Sequence, residues 1–325
     1  MTKEGIYIKM FSHNDLDGVA SPVILRQLLT MKRGDLTFYP PTFSSTGKEG
    51  TIDDDIIVFL NSDKAKLTDE VYIMDLTPSE EVLNLLDRKS EEYGFKWQVF
   101  DHHATAVWSM GKYPSNVHNY QNMGDHEHSA TSITTVFVEY ATPIELMKIE
   151  KFRKIGQLAE VVRLYDTWEW FNSASELAIQ AKKLNDLFYL YPPSQRFNLL
   201  SIVASAGVDE ILNKNRNFIY AVEEREAEYI ESKIKNSNII RFAEYDIAVV
   251  YAEQYISNLG NAMCRELDVD FSIVLHGSNG RQLSLRSVLN IDVSKVAKEY
   301  FNGGGHEHAA GGKATDEFIR AVYSL

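Results

Sequence analysis

Gln98-Val-Phe-Asp-His-His-Ala-Thr105 sets an acid and two adjacent imidazoles at the end of a short apolar run that begins at Trp97. A brief apolar run closing on polar residues is the pattern of a strand buried on both faces, as in a parallel sheet. Two further runs share this form. Ile6 to Phe11 leads into Ser12-His13-Asn14-Asp15-Leu16-Asp17-Gly18, and Val71 to Met74 ends at Asp75. Helical spacing follows each: Val19, Val23, Leu25, Leu28 and Leu29 after the first, and Val82 to Tyr93 after Pro78, Ser79, Glu80 and Glu81. Strand alternating with helix predicts an α/β fold, a mostly parallel sheet flanked by helices.

In open sheets of this kind ligands gather beyond the carboxyl ends of the strands. One Asp after a strand is ordinarily a turn former or a helix cap. Three such ends, two of them with histidine, point to a shared site instead. Crowded carboxylates raise one another's pKa unless a cation sits among them. Asp oxygens with neutral imidazoles and no thiolate favour Mn2+, Mg2+ or a related divalent ion such as Co2+, with zinc as an alternative. His13, Asp15, Asp17, Asp75 and His102 exceed what one ion takes from protein. Two ions sharing a carboxylate, about 3.5–4 Å apart, are therefore expected, an arrangement that clamps a phosphoryl group and activates water. One more acid, Asp166 in Val161-Val-Arg-Leu-Tyr-Asp-Thr-Trp-Glu-Trp170, closes an apolar helical stretch amid aromatics. On pattern alone it reads as a cap or the partner of a buried tyrosine.

The 325 residues are long enough for two domains. We expect an N-terminal domain over 1–190, a polar helical linker over 191–240 and a smaller α/β domain over 241–325. In the last, Ile247 to Ala252 and Phe271 to Leu275 read as strands, Ile256 to Leu267 as a helix, and Ser278-Asn279-Gly280 as the turn of a hairpin entering Gln282 to Val288. Gly303, Gly304 and Gly305 allow backbone amides to approach an anion, and Arg286 offers a planar fork for phosphate oxygens. The net charge of −13 argues against stable binding of duplex DNA, which needs a broad basic face. It leaves room for a small anionic substrate in a local pocket of reversed sign. No apolar run is long enough for a membrane helix, Met1-Thr-Lys-Glu-Gly5 carries no secretion-signal pattern, and the single cysteine, Cys264, makes no internal disulfide. A cytoplasmic protein without a membrane partner is the expectation.

Taken together, Ser12 to Gly18, Val71 to Asp75, Asp101-His102-His103, Tyr165-Asp166-Thr167, Gln282 to Ser287 and Asn302 to Gly312 resemble, in order, the motifs of the DHH phosphoesterases and their C-terminal substrate domain. The stretch Tyr165 to Trp170 is most similar to the oligoribonuclease branch. The resemblance implies a metal-dependent hydrolase of short oligonucleotides. It implies one ion on His13, Asp15 and Asp75, a second on Asp17, Asp75, His102 and Asp166, and Asp101 as an acid that orients a ligand histidine. His103 would contact the phosphate or protonate the leaving oxygen, while Arg286, Ser287, Gly303, Gly304, Gly305 and His306 would bind substrate. Cyclic dinucleotides, 3′-phosphoadenosine 5′-phosphate and polyphosphate are alternative substrates, and an inactive nucleotide-binding regulator is the rival of another class. Asp125-His126-Glu127-His128 is expected to be a connection before a helix starting near Ser129, and Trp168 and Trp170 to pack beside Asp166 rather than stack on a base.

Overall fold

A computed structural model describes residues 5–44, 51–120, 122–123, 126–139, 149–277, 280–288 and 291–323. The chain divides into two units, Met1–Ile219 and Tyr220–Leu325. In the first, strands β1 (Ile6–His13), β2 (Leu36–Phe38), β3 (Thr42–Ser44), β4 (Glu70–Met74), β5 (Lys96–Asp101) and β6 (Val117–Asn119) form one sheet. Its order is β2-β1-β4-β5-β6 with β3 also on β1, and the pairings are parallel.

Both faces are covered, as the unbroken apolar runs demand. Ile8, Met10, Tyr72, Met74 and Phe100 pack against the helices Leu16–Arg33 and Glu150–Asp166. Phe11, Val71, Ile73, Trp97 and Val99 pack against Ile52–Leu60 and Glu80–Tyr93 on the opposite side. Each fully buried side chain of this size contributes about 1.5–3 kcal/mol relative to exposure. Register then sets the site, because Ser12 pairs with Met74 and Met74 with Phe100. The next residues, His13, Asp75 and Asp101, leave the sheet at one level.

A local defect ties the first strand to the first helix. Pro22 lies inside Leu16–Arg33 and has no amide hydrogen for the carbonyl of Gly18, four residues earlier. The Ser12 hydroxyl lies 2.6 Å from that carbonyl and 2.9 Å from the Met74 carbonyl. Residue 18 must be glycine for a second reason: a Cβ there would collide with the backbone of His13.

The segment expected as a linker is divided. Pro193–Ala206 and Val208–Lys214 are helices whose Leu199, Leu200, Val203, Val208 and Leu212 enter the first core. The helix Arg216–Lys235 buries Ile219 in that same core, and Tyr229, Ile230 and Ile234 pack in the second unit. Its polar average hides two short apolar stripes.

A strand pair, β7 (Asn122–Met123) with β8 (His126–Glu127), precedes the helix Ala130–Glu139. The second unit holds β9 (Asn238–Phe242), β10 (Tyr245–Tyr251), β11 (Phe271–His276), β12 (Gln282–Arg286), β13 (Gly304–His306) and β14 (Ala309–Lys313), in the order β13-β14-β12-β11-β10-β9. The β10–β11 pairing is parallel and the others are antiparallel. Ser278 and Asn279 of the expected turn lie outside the described residues. Ile256–Glu266 covers one face, and Val293–Tyr300 with Asp316–Tyr323 covers the other.

Replacing Ser12 with Ala removes the donor that serves the Gly18 carbonyl. The expected loss of unfolding free energy is about 1–3 kcal/mol, measured by chemical denaturation; an unchanged midpoint would show that the carbonyl finds another donor.

Candidate active site

At the exit of β4, Asp75 takes a left-handed backbone with φ of 60° and donates its amide to the Phe100 carbonyl at 2.8 Å. That conformation is costly for a residue with a Cβ and recurs where a side chain must be aimed. From β1, His13 Nδ1 lies 2.7 Å from Asp15 Oδ2 and 3.6 Å from Asp75 Oδ2. Only Asn14 separates His13 from Asp15, and Asp15 also caps the first helix by accepting from the Gly18 amide at 2.9 Å. From β5, His102 Nε2 lies 3.4 Å from Asp75 Oδ1 and 3.2 Å from Asp166 Oδ2, at the end of the helix Glu150–Asp166.

Three sets of donor atoms result, each set within 4.8 Å: His13, Asp15 and Asp75; Asp17, His102 and Asp166; Asp75, His102 and His103. Strand ends far apart in sequence thus meet, with Asp75 common to two sets.

Two acids are held from behind. The buried Asp17 carboxylate accepts from the amides of Ala130 at 2.7 Å and Thr131 at 3.0 Å, the positive N-terminal end of Ala130–Glu139. The expected helix near Ser129 therefore has a use that its sequence did not announce. Asp101, also buried, accepts from the amides of His102 and His103 at 2.7 and 3.1 Å and faces His103 Nδ1 at 2.7 Å. Thr77 donates to its second oxygen. Asp101 therefore orients His103, rather than the His102 ring that stands beside Asp166.

The charges are unevenly balanced. Burial would raise the Asp15 carboxyl, yet the hydrogen bond and charge of His13 hold it below its ordinary value. His13 is pushed up to about 10, by its hydrogen bond to Asp15 and then by Asp75. Burial pushes Asp75 well above the usual carboxylate range, and the charges of Asp15 and Asp17 add to it. Asp166 is raised by burial and then by Asp17. Asp75 Oδ2 and Asp166 Oδ2 are buried and have no hydrogen-bond partner among the described residues. An anionic oxygen left this way is costly, and a divalent cation removes both the repulsion and the missing contact. The oxygen and imidazole donors fit such an ion.

Arg163 was missed by sequence reading. Its side chain is buried and its guanidinium binds Glu160 at 2.9 and 2.8 Å, Glu169 at 2.5 and 3.1 Å and the Glu127 carbonyl at 2.9 Å. The Arg163 carbonyl in turn accepts from the Thr167 amide and hydroxyl, each at 2.9 Å. One residue thus joins the helix end carrying Asp166 to the turn after it and to the strand before the helix that anchors Asp17. The visible signal was an arginine between two acids, Glu160 and Glu169, next to a functional Asp.

Elsewhere in the first unit, Asp125 lies outside the described residues. His128 faces Ser132 Oγ at 3.1 Å, beside the start of the helix.

In the second unit, the Arg286 guanidinium donates to Ser284 Oγ at 2.9 Å, the Leu285 carbonyl at 2.8 Å and Ser257 Oγ at 2.6 Å. Burial lowers its pKa. Ser287 is buried, donates to the Ile291 carbonyl at 2.7 Å and faces His308 Nδ1 at 3.0 Å. The Gly303 amide donates to the Ala297 carbonyl at 2.9 Å, and a Cβ at 303 would collide with Gly311. Gly304, Gly305 and His306 pair with β14.

No family model matches the chain. Its fold is similar to that of exonuclease RecJ bound to manganese, with TM-score 0.57 and 14% identity over 98% of this chain and 89% of that one. It is similar to the DHH domain of a member of the s1p family of ribosomal proteins, with TM-score 0.61 and 16% identity over 98% and 86%. RecJ from Thermus thermophilus in complex with Mn2+ gives TM-score 0.58 and 14% identity over 98% of this chain and 51% of that one. The parallel sheet, with the ordered motifs at its strand ends, thus gives the chain a fold similar to that of DHH-domain proteins. Among curated proteins it is 29% identical over 325 residues to the oligoribonuclease NrnB of Bacillus subtilis (strain 168), covering 97% of this chain and 74% of that protein.

Two outcomes are expected. In metal-free protein, Asp75, Asp166 and His13 all have raised folded-state pKa values, so the folded state binds more protons than the unfolded one and stability falls as pH rises. A divalent ion replaces those protons. The gain in Tm on adding Mn2+ should therefore be larger at about pH 8 than at about pH 6, read by differential scanning fluorimetry; an equal gain would contradict the protonated cluster. Arg163→Met should weaken the affinity for Mn2+ by about tenfold or more with secondary structure retained, as titration calorimetry and circular dichroism would reveal.

Proposed function

We propose that the protein is a metal-dependent phosphodiesterase that cleaves short oligonucleotides, nano-RNA and dinucleotides among them, to mononucleotides with two divalent ions. Mn2+ is the preferred ion, with Mg2+ or Co2+ as substitutes. One observation carries the reading: the two oxygens of the buried Asp75 reach toward imidazoles of two different donor sets, Oδ2 toward His13 and Oδ1 toward His102. In this reading His13, Asp15 and Asp75 hold one ion, and Asp17, Asp75, His102 and Asp166 the other. Ions so held supply the Lewis acidity that neutralises phosphoryl charge and makes water a nucleophile near neutral pH.

The chain's own groups do the rest. Asp101 engages Nδ1 of His103, which leaves Nε2 as the nitrogen to hand a proton to the departing oxygen. The helix N-terminus at Ala130 and the Arg163 clamp keep Asp17 and Asp166 aimed, so little reorganisation is needed at the moment of reaction. In the second unit Arg286, whose hydrogen-bond acceptors among the described residues are hydroxyls and a carbonyl, is the phosphate-binding fork. Ser287, Gly303, Gly304, Gly305 and His306 complete that substrate-binding end, with Ser287 and Gly303 shaping it from behind. The likeness to an oligoribonuclease supports the substrate class, and manganese in RecJ supports the ion. The acidic net charge favours short substrates over long duplexes, and the lone cysteine suits a cytoplasmic location.

Asp166→Ala and His102→Ala should each lower Mn2+-supported hydrolysis of a dinucleotide by at least about a hundredfold, and EDTA should stop the wild-type protein. Full activity in either variant would remove the site. In a panel of a dinucleotide, a long single strand and a cyclic dinucleotide, the linear dinucleotide should be cleaved fastest; faster cleavage of the cyclic compound would overturn the substrate assignment.

A further inference from the structure

The helix that ends at Asp166 is followed by a residue whose backbone is left-handed, with φ of 62° and ψ of 6°, and that residue is Trp168. Glycine or asparagine fills such a position after a helix without strain, whereas a bulky aromatic does so only where the surroundings or the function require it. Trp168 donates its amide to the Tyr165 carbonyl at 3.2 Å and accepts from the Phe171 amide at 3.1 Å, so both ends of its peptide are fastened.

Its ring completes a stack. Tyr165 and Trp170 lie 5.5 Å apart at 8°, and Trp170 and Trp168 lie 5.9 Å apart at 30°. Phe171 meets Trp168 edge-on at 5.9 Å and 76°. Tyr165 and Trp170 pack against the core, but Trp168 is 39% exposed. Trp170 is thus a packed ring, whereas the open face of Trp168 departs from the expectation that both tryptophans pack rather than stack on a base. A ladder of aromatic rings rises from the core and ends in an open ring two residues from a carboxylate of the metal cluster. The backbone does not permit that ring to be there cheaply.

We propose that the Trp168 indole is a stacking platform for a nucleobase of the substrate, beside the phosphoester that the acid cluster would cleave. The proposal rests on the nucleotide reading above and adds to it a specificity determinant. Every base has a π face, so such a platform accepts short strands with little regard to sequence. The rings beneath Trp168 hold it in place, so a base finds its partner already ordered.

The test uses holoenzyme with Mg2+ and two variants. Trp168→Asn removes the ring and suits the left-handed backbone, so its Tm should stay at or above that of the wild type; Trp168→Phe keeps a ring. With a dinucleotide substrate, Trp168→Asn should raise KM by about tenfold or more, with a far smaller fall in kcat, and Trp168→Phe should recover most of the difference. With an analogue lacking one base, the gap between wild type and Trp168→Asn should shrink. Titration with a non-hydrolysable dinucleotide should quench indole fluorescence in the wild type, and quench it less in Trp168→Phe. A dinucleotide KM unchanged in Trp168→Asn, in a wild-type enzyme that does cleave dinucleotides, overturns the platform alone. A wild-type enzyme that cleaves and binds no dinucleotide overturns the nucleotide reading and the platform with it.

Discussion

The arrangement of the first unit follows from one electrostatic constraint: carboxylates from the ends of separate parallel strands and helices are buried within a few ångströms of one another. Two like charges about 4 Å apart repel by about 4 kcal/mol at the effective dielectric of a protein edge. Total folding stability is only about 5–15 kcal/mol. The fold tolerates the cluster only if each negative charge is met by something positive, and the answer differs from acid to acid. Asp15 has the His13 imidazolium, and Asp17 has the amides at the start of Ala130–Glu139. Asp101 has two amides and His103. Asp75 and Asp166 share the His102 imidazole, and each keeps a buried oxygen that no described residue hydrogen-bonds. The deficit sits where a divalent cation would be held, and it gives the site its chemical bias.

The second unit holds a deficit of the opposite sign. Arg286 is largely withdrawn from water, and among the described residues its hydrogen-bond acceptors are hydroxyls and a carbonyl. The glycines around β13 act mostly by shape: Gly303 hydrogen-bonds within its own unit and packs on Gly311, so that a side chain there would force the hairpin apart.

How much of this was legible in the sequence varies with the range of the interaction involved. The strands β1, β4 and β5, their helices and the acids that close them were readable because a buried strand needs an unbroken apolar run. The ordered motifs then named the ligand candidates, and the structure brings His13, Asp15, Asp17, Asp75, His102, His103 and Asp166 together. What was not readable depended on distant partners. Asp17 looked like one more ligand, although its carboxylate is anchored by residues 113 and 114 positions away. Arg163 looked like an ordinary helix charge. The segment 191–240 looked like a connector because its mean polarity concealed Leu199, Val203 and Ile219, which complete the first core.

By itself, then, the sequence determined the alternation of strand and helix, the acids and imidazoles at the strand ends, and the acidic net charge of −13. These are local properties, set by periodicity and composition within a few residues. Only the tertiary structure decided which acids confront one another, which are neutralised from within and which keep an oxygen that no described residue hydrogen-bonds. It also decided that one tryptophan of a pair is held half in solvent. Those outcomes depend on strand register and on contacts between residues a hundred positions apart, and neither is encoded in any single stretch of the chain.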